Sequence, residues 1–96
     1  MAATESEIEE KFVRYALSLG CTALKLRIDG ANGFPDRTVI TPSGVLFAEF
    51  KRHDGKFRPM QRVWMKRLTS MGYVVLTPRA AGEAESQLDE FLSQVH

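Results

Sequence analysis

The chain predicts an α/β domain, a mixed central sheet with helices packed on it, and three observations carry that prediction. Two long segments, one opening at Thr4 and one near Pro59, repeat apolar residues at helical spacing. Between them lie stretches with the two-residue alternation of strands. The order is helix, strand, hairpin, helix, strand, helix, and the helix before residues 73–77 implies a right-handed parallel crossover. With 96 residues, a single domain spanning 1–96 is expected.

The first helix opens with Thr4-Glu5-Ser6-Glu7, a capping box with Thr4 as N-cap. Ile8, Phe12, Tyr15, Ala16 and Leu19 form its apolar stripe, and Gly20 ends it. Its glutamates suit the positive end of the helix dipole, but they point in different directions. At about 100° per residue, Glu5 lies roughly 20° from Phe12 and Glu9 about 60° away, whereas Glu7 and Glu10 face solvent. Glu5 is therefore the acid aimed along the buried stripe.

Thr22 to Ile28 alternates, with Leu24, Leu26 and Ile28 on one face. The loop Asp29-Gly30-Ala31-Asn32-Gly33-Phe34-Pro35 follows, and its glycines permit a close backbone approach. It lacks the lysine and hydroxyl of a phosphate-binding P-loop. Pro35 fixes the backbone just before Asp36. Asp36 to Lys51 reads as a hairpin turning at Thr41-Pro42-Ser43-Gly44. In the returning strand Val45, Phe47, Glu49 and Lys51 share one face, and Leu46, Ala48 and Phe50 the other. A hairpin folded about Ser43 sets Asp36 and Arg37 against Phe50 and Glu49, bringing two carboxylates within about 5–8 Å. Like charges that close require a cation between them or a proton on one.

His53-Asp54-Gly55-Lys56 reads as a turn. The second helix starts near Pro59, with Met60, Val63, Trp64, Leu68 and Met71 as its apolar side and Gly72 at its end. Arg58, Arg62 and Lys66 form a basic ridge on another side. Gln61 projects toward the core side, where a polar group needs partners. Tyr73 to Thr77 reads as a buried strand stopped by Pro78, and Leu88, Phe91, Leu92 and Val95 mark a last amphipathic helix.

Composition sets the limits. Apolar residues make up 44% and charged residues 26%, an ordinary globular balance. No apolar run is long enough for a membrane span, and the acidic N-terminal segment reads as no secretory signal. The lone Cys21 excludes an intrachain disulfide and reads as a small core residue. The net charge of +1 is uninformative, but Lys51 to Arg67 holds seven basic residues against one acid. A phosphate-rich partner suits that block.

Asp36, Glu49 and Lys51 converge at one end of the hairpin, with Glu5 and Gln61 approaching from two helices. Hard carboxylate oxygens favour Mg2+ or Mn2+ over Zn2+. A lysine beside such an ion can position a water and offset charge developing on a phosphate. The combination describes metal-dependent hydrolysis of a phosphodiester.

Pro35-Asp36 followed by Glu49-Phe50-Lys51 resembles the PD-(D/E)XK nuclease signature. The wider pattern resembles the virus-type replication-repair nuclease (VRR-NUC) domain over roughly residues 5–78: a helix-one glutamate, Gly33-Phe34-Pro35-Asp36, Phe47-Ala48-Glu49-Phe50-Lys51 and Pro59-Met60-Gln61. The resemblance implies a restriction-endonuclease-like αβββαβ core, here with an extra C-terminal helix. It implies that Asp36, Glu49 and the backbone carbonyl of Phe50 bind the metal, that Lys51 orients the attacking water, and that Gln61 is the family's helix glutamine. The helix-one glutamate is carried onto Glu5, with Glu9 as the alternative. Arg37, Lys56, Arg58, Arg62 and Lys66 are the candidate DNA contacts. The small stand-alone members imply a homodimeric endonuclease cutting branched DNA such as four-way junctions. From the lone cysteine and the lack of a secretory signal, a cytoplasmic location, in a bacterium or a virus-infected host, is expected. A flap or single-strand nuclease, or a catalytically silent nucleic-acid-binding module on the same fold, is the alternative.

Overall fold

A computed structural model describes residues 3–94. Its elements are α1 (Glu5–Ser18), β1 (Thr22–Leu24), β2 (Arg37–Thr41), β3 (Gly44–Ala48), α2 (Pro59–Ser70), β4 (Val75–Leu76) and α3 (Glu83–Ser93). The strands form one sheet in the order β1-β2-β3-β4. The first three are antiparallel neighbours, and β4 runs parallel to β3. The mixed sheet, the αβββαβ order and the extra helix are those expected.

The capping box forms: Glu7 N–H donates to the Thr4 hydroxyl at 3.1 Å, and Thr4 N–H to the Glu7 carboxylate at 2.9 Å. Ile8, Phe12 and Ala16 of α1 pack with Ala84 and Leu88 of α3 against Val39, Leu46, Ala48, Phe50 and Cys21, closing the main core on one face of the sheet. Tyr15 ties the two helices by donating to Asp89 at 2.6 Å. Burial pushes the Cys21 thiol up, as befits a core residue.

On the other face Phe34 stacks edge-on against Phe47 (centroids 5.6 Å) and Trp64 (5.3 Å). This second layer is thin. On α2 only Leu68 is fully buried, whereas Met60, Val63 and Met71 of the expected apolar side are exposed. Two further expectations are corrected here. β1 ends at Leu24, and Leu24, Leu26 and Ile28 are 39–46% exposed. Inward positions there belong to Cys21 and Ala23, because Ala23 pairs with core Val39. β4 is a two-residue edge strand, and Tyr73 and Val74 are exposed. Leu19 is also exposed, just past the end of α1. Val95 lies outside the described residues.

The hairpin register differs by one residue from that expected. Thr41 pairs with Gly44 and Arg37 with Ala48, so the loop is Pro42-Ser43 alone. The Thr41 hydroxyl accepts the Ser43 N–H at 2.9 Å and donates to the Gly44 carbonyl at 2.8 Å. Gly44, at φ 127°, opens the returning strand directly. The shift matters because paired residues share a face. It sends Arg37 to the α1 side with Ala48, and aligns Asp36, one position beyond the ladder, with Glu49.

Candidate active site

β3 is central at the site end, with β2 on one side and the β4 segment on the other. Its N–H groups at Phe47, Glu49 and Lys51 donate to the carbonyls of Val74, Leu76 and Pro78 at 2.9, 2.9 and 3.2 Å. This parallel pairing continues past the strand and fixes the backbone that carries Glu49 and Lys51. Both are buried, with 2% and 8% of their surface exposed. The expected alternation holds: Leu46, Ala48 and Phe50 enter the main core, and Phe47, Glu49 and Lys51 face the α2 side.

Asp36 arrives by a fixed route. Gly33 has φ +85°, and a Cβ there would lie 2.6 Å from the Met60 carbonyl carbon and 2.7 Å from the Gln61 nitrogen. Only glycine lets the loop touch the start of α2 so closely. Phe34 then anchors between Phe47 and Trp64, Pro35 is buried, and Asp36 accepts the Phe50 N–H at 2.9 Å.

Gln61 links α2 to this pair. Its side-chain oxygen accepts the Arg58 backbone N–H at 2.7 Å, and its amide nitrogen donates to Glu49 at 3.0 Å. An N–H can only donate, so the first bond fixes which way the amide points. Gln61 thus supplies the backward half of a capping box while holding the site carboxylate. Lys51 Nζ lies 3.8 Å from the same Glu49 oxygen. Burial first, and the Asp36 charge second, push the Glu49 carboxyl up to about 8, against the opposing pull of Lys51.

The structure therefore brings together Asp36, Glu49, Lys51, the Phe50 backbone and Gln61. It does not bring in Glu5: among the described residues no three His, Cys, Asp or Glu side chains converge as a metal cluster. Glu5 is half-buried on the first turn of α1. Glu9, the alternative, receives the Arg37 guanidinium at 2.7 Å. Arg37 also donates to the Ala23 carbonyl at 3.3 Å, so this expected DNA contact serves to tie β2 to α1 and β1. Lys56, Arg58, Arg62 and Lys66 are exposed. His53 is exposed in the turn.

Two neighbours of Lys51 escaped the sequence reading. Phe57 offers its ring to Lys51 Nζ, 5.7 Å from the centroid, and to the Arg79 guanidinium, 5.1 Å away. Arg79 also donates to the backbone carbonyls of Arg52 (3.1 Å) and Gly55. The available signal was an aromatic flanked by cations, Lys56-Phe57-Arg58, but only the β3–β4 pairing brings Arg79 beside it.

No family model and no curated protein matches the chain. Solved structures do. One, described as a VRR_NUC domain, is 27% identical, with a TM-score of 0.77 over 98% of this chain and 100% of that one. A second, described as a VRR_NUC domain protein, is 14% identical and shares the fold, with a TM-score of 0.78 over 97% of this chain and 91% of that one. The likeness first drawn from Asp36, Glu49-Phe50-Lys51 and Gln61 thus extends to the whole backbone, and the chain folds as a VRR-NUC domain, a nuclease-family domain.

Proposed function

We propose that the chain is a divalent-metal-dependent, structure-selective DNA endonuclease that hydrolyses phosphodiester bonds, with branched DNA such as four-way junctions as its substrate. The observation that carries this reading is the pairing of Asp36 and Glu49 on a buried sheet face. Glu49 is pushed up to about 8 there, by burial first and the Asp36 charge second, so a cation held between the two carboxylates would take the place of the proton. All the donors are hard oxygens, which suits Mg2+ or Mn2+. Asp36, Glu49 and the backbone carbonyl of Phe50 would hold the ion. When bound, it supplies Lewis-acid polarisation of the phosphate and a more acidic water.

The remaining work falls to the chain itself. Lys51 orients the attacking water and offsets negative charge developing at the phosphate. Gln61 keeps the Glu49 carboxylate in one orientation through its 3.0 Å bond. Lys56, Arg58, Arg62 and Lys66, all exposed, take backbone phosphates. The exposed Val63, Met71, Tyr73 and Val74 favour association of two copies. Two sites related by a twofold axis suit paired cuts in a symmetric junction. Among the described residues no helix is long and apolar enough to cross a membrane.

Four-way junctions, flaps, single strands and linear duplex, incubated with Mg2+ or Mn2+, test the reading. Wild type is expected to cut branched DNA. Asp36→Ala and Lys51→Ala are expected to bind it yet cut at least about a thousandfold more slowly. Equal, metal-independent behaviour of all three proteins would leave only a binding module. Preference for flaps or single strands would replace the junction assignment. A monomer at micromolar concentration in sizing experiments would count against paired cleavage.

A further inference from the structure

We infer that Phe57 and Arg79 form a positioning clamp for Lys51, a deepening of the nuclease reading on which the role of that lysine rests. The clamp begins in the backbone. Lys51 N–H donates to the Pro78 carbonyl at 3.2 Å, so the residue before Arg79 is paired with the strand carrying Lys51. Arg79 then reaches across the turn between β3 and α2 and donates to the carbonyls of Arg52 and Gly55. Gly55 N–H closes back on the Arg52 carbonyl at 3.0 Å, making Arg52–Gly55 a turn with Arg79 at its mouth. One guanidinium nitrogen, Nη1, donates to both carbonyls, which leaves the planar group free to lie over a neighbouring ring, as a lysine ammonium cannot.

The turn delivers Phe57. Its ring receives Arg79 at 5.1 Å and Lys51 at 5.7 Å, both within the range of a cation held by an aromatic ring. Arg79 secures the ring through the turn and through stacking, and the ring offers Lys51 a weakly attractive surface. Lys51 needs such a surface. Its link to Glu49, at 3.8 Å, is loose, and a long side chain with one loose partner samples several rotamers. A second contact on the ring restricts Nζ to the space beside Glu49. Among the described residues neither side chain hydrogen-bonds to or forms an ion pair with Asp36 or Glu49, so their action on chemistry passes through Lys51.

The test uses Phe57→Leu, which keeps bulk but removes the ring face, Phe57→Tyr, which keeps it, and Arg79→Lys, which keeps charge but not the planar group over the ring. Single-turnover cleavage and Kd for DNA in Ca2+ are measured for each, with thermal melts. Phe57→Leu and Arg79→Lys are expected to lower the cleavage rate about tenfold or more at unchanged Kd and Tm, and Phe57→Tyr to retain most of the rate. A second readout needs no cleavage. The ring shifts the Lys51 ε-methylene protons upfield in the NMR spectrum, and Phe57→Leu should abolish that shift. Wild-type rates in both variants, or unmoved Lys51 resonances in Phe57→Leu, would overturn the clamp. If wild type itself cuts no DNA, the nuclease reading falls, and the Lys51 resonances still decide the clamp.

Discussion

Gln61 donates to Glu49 at 3.0 Å from a side chain whose oxygen is already committed to the Arg58 backbone N–H at 2.7 Å. A helix cap and a site hydrogen bond are thus one side chain. Gln61→Ala removes both and leaves Glu49 with Lys51 alone at 3.8 Å. Cleavage at saturating metal is expected to fall at least about tenfold, with about 1 kcal/mol lost from stability for the missing cap. Gln61→Glu keeps the acceptor for Arg58 but sets a third acid against Glu49. It should therefore keep the thermal stability of wild type at pH 5 and lose it at pH 8, which parallel melting curves at the two pH values would refute.

Glu49 makes the metal-free protein sensitive to pH in a defined direction. Its carboxyl is pushed from an ordinary 4.5 up to about 8, by burial first and by Asp36 second. Between those values the folded protein holds a proton that the unfolded chain has released. The favourable contribution is therefore complete below about 4.5 and is lost as pH rises through about 8. Glu49→Gln cannot ionise, so at pH 8.5 in EDTA it should be the more stable protein, by on the order of 1–4 kcal/mol. Near pH 4 the advantage should vanish. Mg2+ should raise the Tm of wild type at pH 8.5 and leave that of Glu49→Gln unmoved.

The sequence made the site legible where local pattern and site geometry coincide. Alternation along β3 assigned Glu49 and Lys51 to one face, and that face is determined by the strand alone. Register was not legible, because it depends on whether the turn uses two or three residues, and Thr41-Pro42-Ser43-Gly44 permits both. Gly44 opening the return strand decided it, and moved Arg37 from the site face to Glu9. The apolar side of α2 was over-read for a different reason. Helical spacing gives direction, but it does not say how wide a sheet lies beneath, and β4 is only two residues long. Phe57 and Arg79 were invisible because they lie 22 positions apart in the chain, and neither lies on a periodic face.

Gly33 tests how the Asp36 loop is set. Its missing Cβ faces main-chain atoms of Met60 and Gln61 at 2.6 and 2.7 Å, which cannot yield without moving α2. Gly33→Ala should cost about 2–3 kcal/mol from strain and clash together, and should displace Gln61 from Glu49. Gly30 supplies the control. It also has positive φ, +75°, but nothing lies within 4 Å of its would-be Cβ. Gly30→Ala should cost about 1 kcal/mol and leave DNA cleavage untouched. Denaturant melts and cleavage rates compared for the two variants separate close approach from backbone conformation, and equal losses would contradict the role given to Gly33.

The two kinds of arginine near the site should separate in one salt series. Arg37 is bound to Glu9 at 2.7 Å, with the two side chains only 19% and 16% exposed. Arg62 and Lys66 stand exposed on the ridge of α2. Arg62→Ala and Lys66→Ala should weaken binding to every DNA tested and flatten the plot of log affinity against log salt by about 0.9 per residue, with stability changed by less than about 0.5 kcal/mol. Arg37→Ala should do the reverse. It breaks a charge-assisted bond worth about 1.5–3 kcal/mol and leaves Glu9 half-buried without its partner, while the salt slope stays as in wild type. Glu9→Gln should reproduce part of that loss, because the bond survives in neutral form. A flattened salt slope in Arg37→Ala would return this residue to the DNA contacts and require the Glu9 pair to open when DNA binds.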